Sequence, residues 1–317
     1  MEAKANNTVG PPGTGKTYYA LKFAREIIAQ NNFEKSYHEL TKSERQYLDL
    51  EQASENYLYF CTFHPAFGYE EFIEGYRPKP GEKGSPEFVL QEGIFKKMCQ
   101  KAMANLDKTF VLIIDEINRG NIPRIFGELI TLLEKDKRYR DEDNKGVGVV
   151  LPMSSEPFYV PDNVLVIGTM NSADRSIALL DVALRRRFGF FELMPTSELL
   201  EGEEVEGINL GSFLEEINSR IAKEVGRNFQ IGHSYFMERE RPIKYIEEFS
   251  NCFKDKILPL LQEYCYDDYS RLSRILGSSF VDVESQSFKQ EIFLPKNKER
   301  LIDALKSFTE VDQVDKD

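Results

Sequence analysis

Eight residues, Gly10-Pro11-Pro12-Gly13-Thr14-Gly15-Lys16-Thr17, constrain this 317-residue chain more than any others. They match the G-x-x-x-x-G-K-[ST] phosphate loop at every defined position. The glycines let successive backbone N–H groups turn inward on phosphate oxygens, and the helix that follows presents its positive end to the same anion. Lys16 is expected to reach the terminal phosphates of a nucleotide, and Thr17 to offer a hydroxyl to Mg²⁺. Residues 18–30 have the apolar spacing of that helix, with Leu21, Ala24, Ile27 and Ile28 on one face. Such a loop normally follows a buried strand, which reads as a continuous apolar run. Of residues 1–9 (MEAKANNTV), Thr8 and Val9 alone have strand character, so the first strand is expected to be nearly missing.

A second signal is the run 110–116 (FVLIIDE), an apolar strand that ends in two acids. It puts carboxylates at the carboxyl end of a parallel strand, where ligands of open α/β sheets bind. Asp115 is expected to hold Mg²⁺ through water, and Glu116 to polarise the attacking water. Residues 163–170 (NVLVIGTM) read as another buried strand, ending at Asn171 on the same edge, where its amide would orient the lytic water. Beyond it come Asp174 and the triplet Arg185-Arg186-Arg187.

Between these signals, residues 57–63 and 188–193 read as strands, and 93–106 and 121–135 as amphipathic helices. Residues 79–86 read as a Gly/Pro loop, with 88–90 a short hairpin strand, and 147–151 with 157–160 as a hairpin. Strands alternating with helices predict an α/β fold, a parallel sheet covered by helices on both faces. From Pro195 the pattern becomes helical, over 213–225, 242–256, 257–264, 270–276 and 298–308, with a small hairpin in 279–293. The expected division is a nucleotide-binding α/β domain over 1–194 and a smaller α-helical lid over 195–317.

With 41% apolar and 12% aromatic residues the chain can bury a core, while a net charge of -12 argues against a broad nucleic-acid or anionic-membrane surface. Cys61, Cys99, Cys252 and Cys265 form no CxxC pair, and His38, His64 and His233 complete no zinc spacing. No apolar run approaches the roughly 20 residues of a membrane span. A cytoplasmic protein is expected, with reduced cysteines and His233 as a structural histidine.

Several strings together carry a more specific resemblance. The phosphate loop, Phe63-His64-Pro65 running into residues 69–75 (YEEFIEG), residues 114–121 (IDEINRGN), and above all Met170-Asn171-Ser172-Ala173-Asp174-Arg175-Ser176 followed by residues 184–188 (LRRRF) resemble the McrB family of AAA+ GTPases. Residues 231–236 (IGHSYF) and 258–261 (LPLL) resemble its lid. The resemblance implies an AAA+ P-loop fold and GTP hydrolysis, with ATP the alternative, in an oligomeric and expectedly hexameric ring. It implies a separate McrC-type nuclease that the ring drives in modification-dependent restriction.

By position, the resemblance gives Lys16 and Thr17 to phosphates and Mg²⁺, Asp115 and Glu116 to Mg²⁺ and water activation, and Asn171 and Asp174 to the signature that positions the water. Arg186 and Arg187 become fingers offered to the next subunit's nucleotide, the plain alternative being a basic helix end beside a negative helix terminus. DNA contact is expected to be indirect or through an N-terminal recognition domain that residues 1–9 do not house, and no nuclease constellation is visible. The competing readings are an ATP-driven AAA+ chaperone of the dynein-related or MoxR type, and a ring scaffold that does not hydrolyse nucleotide.

Overall fold

The computed structural model describes residues 5–50, 56–80, 86–174 and 187–309. Its first nine strands, in chain order, are β1 (Ala5–Gly10), β2 (Leu58–Thr62), β3 (Glu74–Pro80), β4 (Pro86–Glu92), β5 (Phe110–Asp115), β6 (Val149–Val150), β7 (Pro157–Phe158), β8 (Val164–Asn171) and β9 (Gly189–Glu192). Five of them form one sheet in the order β2-β5-β8-β1-β9. The pairs β2/β5, β5/β8 and β1/β9 are parallel, with Leu58 opposite Val111, Phe110 opposite Val164 and Asn6 opposite Gly189.

The apolar runs of β5 and β8 are continuous because both faces of this sheet are covered. Val111, Ile113 and Ile167 point to one side, packing with Ala20, Ala24 and Ile28 of helix α1 (Lys16–Phe33). Phe110, Leu112, Ile114, Val164 and Val166 point to the other, into a core with Phe63, Phe72, Phe95 and Phe126. Alternation with period two through a run lacking polar residues is what a doubly covered parallel strand requires. Behind this second core, Lys96 Nζ donates to Glu74 Oε2 (2.9 Å), and Glu74 Oε1 accepts the N–H groups of Met153 and Ser154. Both charged groups are buried, and Lys96 Nζ also donates to Glu156 Oε2 at 3.0 Å, so the charges are met by several partners rather than by one.

Several expectations need correction. The first strand is six residues long rather than nearly missing, because pairing of Asn6 to Val9 with Gly189 to Glu192 overrides the poor strand propensity of asparagine. Asn7 is fully buried, neither its Nδ2 nor its Oδ1 finds a hydrogen-bond partner among the described residues, and Gly168 provides the space it occupies. Burying such unpaired polar atoms costs about 1–3 kcal/mol. Asn7→Val is therefore expected to raise the melting temperature of the nucleotide-free protein; a lower one would mean that the amide is satisfied in solution.

The helix foreseen over 121–135 is α-helical at Ile122–Phe126 alone and continues as a 3₁₀ helix, Gly127–Leu133. Gly127 has φ +53°, and a Cβ there would meet the Tyr69 ring at 3.2 Å, so the chain tightens where this glycine lets an aromatic ring approach. The hairpin foreseen as a loop with one short strand is a seven-residue ladder, β3 against β4, with Tyr76 opposite Leu90 and Pro78 opposite Phe88. A ribbon of two strands has only edges, which is why it accepts these prolines.

The chain forms two compact units whose boundaries fall between Val9 and Gly10, between Gly15 and Lys16, and between Glu192 and Leu193. The second unit thus joins Gly10–Gly15 to the C-terminal helices Leu210–Glu224, Ile246–Cys252, Leu258–Tyr264, Tyr269–Leu276 and Lys298–Lys306. Phe213, Phe236, Phe249, Phe253 and Phe308 form its buried aromatic centre. The helix expected from Pro242 starts at Ile246, since Arg241–Pro242 pairs with Met237–Glu238. A π turn at Phe253–Ile257 then carries it into Leu258–Tyr264. Pro259 lies just past that turn, and the wider turn accommodates a residue that lacks an N–H and crowds the carbonyl four positions back. No helix among the described residues is long and apolar enough to cross a membrane.

Candidate active site

The phosphate loop leaves β1 with Gly13 at φ +76° and Gly15 at φ +78°, the left-handed values that turn consecutive N–H groups to one side. Thr14 is 1% exposed and its hydroxyl donates to the Pro11 carbonyl at 3.0 Å, closing the turn from within. Gly10 has no room for a side chain, since a Cβ would run into the Leu193 carbonyl. Lys16 and Thr17 open α1. Burial lowers the Lys16 ammonium to a pKa of about 8, against the opposing pull of the Glu116 and Asp115 carboxylates. A triphosphate bound beside this lysine would favour its ammonium form and raise the pKa again.

Asp115 ends β5 and is held from two sides. Thr17 Oγ1 donates to its Oδ1 at 2.7 Å and Thr169 Oγ1 at 2.6 Å. The Thr169 hydroxyl also accepts the Glu116 N–H at 3.1 Å, so one buried side chain of β8 touches the carboxylate of one acid and the backbone of the next. Glu116 is left-handed, with φ 52° and ψ 45°, a conformation that costs a non-glycine residue energy unless its surroundings impose it. Burial raises its carboxyl pKa, opposed mainly by the Arg119 guanidinium. Arg119 bridges two acids at ion-pair distance, Glu116 Oε2 at 3.5 Å and Asp174 Oδ2 at 3.6 Å. Glu116 Oε2 is meanwhile buried without a hydrogen bond.

Asn171 ends β8 with its Oδ1 accepting the Ala173 N–H at 3.1 Å, and its backbone carbonyl accepts from Asn118 Nδ2 at 3.3 Å. Lys16, Thr17, Asp115 and Glu116 are thus brought together, and Asn171 and Asp174 are tied to them through Asn118 and Arg119. Arg187 is engaged elsewhere, paired with Glu134 at 2.8 Å with its side chain 15% exposed. Arg186 lies outside the described residues. His233 is buried in the second unit, and burial lowers its pKa.

Sequence reasoning assigned no role to Thr169 or Arg119. For Thr169 the signal was present: a hydroxyl interrupts an otherwise apolar strand, one residue beyond the pair Ile114–Gly168 and therefore level with Asp115. Thr169→Val keeps the shape and removes both hydrogen bonds. It is expected to lower kcat about 10- to 100-fold, the loss of hydrogen bonds to a charged group and to the backbone that aims Glu116. Thr169→Ser should retain most of the wild-type rate. Equal rates for valine and serine would remove the hydroxyl from the mechanism.

The donor set fits a magnesium nucleotide. The Thr17 hydroxyl and the Asp115 carboxylate sit side by side, the donors a hard cation takes, and Lys16 precedes Thr17 on the same helix. The family model for the AAA domain (dynein-related subfamily) matches residues 8–188, and that for the McrB alpha-helical lid domain matches residues 209–273. The chain belongs to the McrB family of AAA+ proteins. One relative of this McrB-family chain, the EcoKMcrB subunit of a type IV methyl-directed restriction enzyme of Escherichia coli, is 35% identical over 289 residues. The match covers 85% of this chain and 56% of that protein, so the chain spans little more than half of its relative's length. A second relative, the YdiS component of the type II restriction enzyme BsuMI of Bacillus subtilis, is 24% identical over 90% of this chain and 86% of its own length.

Proposed function

We propose that this McrB-family chain is the nucleotide-hydrolysing motor of a restriction system, with GTP the preferred substrate, acting in a ring of identical subunits that drives an McrC-like nuclease. The observation that carries the hydrolytic reading is the network in which the Thr17 and Thr169 hydroxyls meet on Asp115 while Thr169 also holds the Glu116 backbone. The restriction setting is supported by two relatives that are components of restriction enzymes.

The loop amides and Lys16 bind the β- and γ-phosphates, and Thr17 and Asp115 hold the magnesium. Bound there, the ion would supply positive charge against the negative charge developing on the phosphates during transfer. Glu116 polarises the attacking water and takes up its proton; burial, which raises its pKa, makes it a better base than an exposed glutamate. Arg119 holds this carboxylate and that of Asp174, and the Asn171 amide orients the water. Transition-state charge calls for an arginine from the next subunit. Arg186 and Arg187 are the candidates, and Arg187 must leave Glu134 to serve. DNA is reached through the partner or through further sequence.

The match to the dynein-related AAA model favours a second reading, an ATP-driven remodelling machine. Phosphate release from GTP and from ATP, at several protein concentrations, separates the two. Turnover that prefers GTP and whose specific rate grows with concentration is expected. ATP turnover with GTP scarcely bound would replace the first reading by the second, and a rate independent of concentration would exclude completion by a neighbour.

A further inference from the structure

In the second unit, the lid segment that follows the long helix Leu210–Glu224 lies directly on the phosphate loop. The Gly232 N–H donates to the Pro12 carbonyl at 2.9 Å and the Ser234 N–H to the Gly13 carbonyl at 3.0 Å. Contact is so close that a Cβ at position 232 would coincide with the Gly13–Thr14 peptide. On the loop's side, a Cβ at Gly13 would come within 2.6 Å of the Tyr235 ring. The segment itself is fixed by the lid's interior. The buried Asn218 amide donates to the Ile231 carbonyl at 2.8 Å and accepts the Ile231 N–H at 2.7 Å, and the Cys252 thiol donates to the Tyr235 carbonyl at 2.9 Å.

A peptide plane has its C=O and N–H on opposite sides, so fixing a carbonyl fixes where the next amide points. Holding the Pro12 and Gly13 carbonyls outward aims the amides of Gly13 and Thr14 the other way. Those belong to the N–H groups a phosphate loop must turn toward phosphate. We propose that Gly232, Ser234 and Tyr235 are positioning residues for nucleotide binding: the lid segment presets the phosphate loop, and nucleotide affinity depends on it although none of its side chains need touch the nucleotide. The inference rests on the nucleotide-binding reading above. It locates part of the affinity in residues far from the loop in sequence, acting on ground-state binding rather than on the chemical step.

The test is titration of the full chain with fluorescent GTP and ATP analogues, with steady-state kinetics, for Gly232→Ala and for Gly211→Ala. Gly211 lies at the start of the same unit's long helix, where an added Cβ meets nothing closer than 3.4 Å. Gly232→Ala is expected to weaken nucleotide binding and raise KM about tenfold or more while kcat at saturation stays within about threefold, the pattern of lost uniform binding. Gly211→Ala should bind as the wild type does. If Gly232→Ala fails to fold, Tyr235→Ala against Tyr235→Phe decides: the alanine variant should lose affinity and the phenylalanine variant, which keeps the ring, should restore it. Unchanged affinity in folded Gly232→Ala, or equal affinities for the two Tyr235 variants, overturns the inference and leaves the nucleotide reading intact. A wild-type chain that binds neither analogue overturns that reading itself.

Discussion

Glu116→Gln is expected to reduce phosphate release about 10²- to 10⁴-fold while leaving nucleotide bound, because it removes a base and keeps the size and backbone of the side chain. The left-handed backbone at this position and its N–H bond to Thr169 do not depend on the carboxylate, so the variant should retain the wild-type arrangement around Asp115. Direct binding should remain within a few-fold of wild type, which makes the variant a trap for the assembled, nucleotide-loaded state. The pH profile carries the sign of the environment. Burial raises the Glu116 pKa, so on acidification the wild-type rate should begin to fall at a higher pH than an exposed glutamate would impose. Substantial turnover by Glu116→Gln would move the base to another group.

Lys16→Ala should act earlier, on binding. Losing a charged donor from a partly buried phosphate site costs about 3 kcal/mol, or roughly a hundredfold in affinity. Protonation makes a second, independent check. In the free protein Lys16 has a pKa of about 8, and a bound triphosphate favours the ammonium, so above pH 8 binding must take up a proton. Affinity measured by titration should therefore decline above pH 8, by up to about tenfold per unit, and Lys16→Ala should lack this decline. For folding alone the sign reverses. Between about 8 and the ordinary lysine value of 10.5 the unfolded chain binds a proton that the folded chain does not, so this group's contribution to stability rises with pH across that window. An affinity that stays level to pH 9.5 would mean that Lys16 keeps its ordinary, higher pKa in the free protein.

What the sequence made legible was what lies close together along the chain. The phosphate loop is one contiguous string, and Asp115 and Glu116 are readable because a strand covered on both faces has to end where its apolar run does. Thr169 was harder, because its meaning depends on register: it gains a partner when β8 aligns with β5. Arg119 was quoted as part of a string, yet its bridge to Asp174 joins two loops that local periodicity does not relate. Asn6 and Asn7 hid β1, since strand propensity is a weak guide where pairing and burial are imposed by neighbours. Gly127 divided a helix whose apolar spacing was otherwise convincing, and a glycine inside a helical pattern does not announce its φ. The lid's grip on Pro12 and Gly13 had no local trace at all.

The way the chain passes between its two units has a practical consequence for dissecting it. It crosses from one to the other at Val9, returns at Gly15 and crosses again at Glu192, so neither unit is a single stretch of sequence. A fragment beginning at Leu193 would carry the helices of the lid but leave behind the carbonyls on which Gly232 and Ser234 rest. A fragment ending at Glu192 would keep the loop and lose what braces it. Chimaeras that exchange lids between relatives would have to exchange Gly10–Gly15 with them, and truncation mapping that treats the halves as interchangeable modules would assign to one half a defect made in the other.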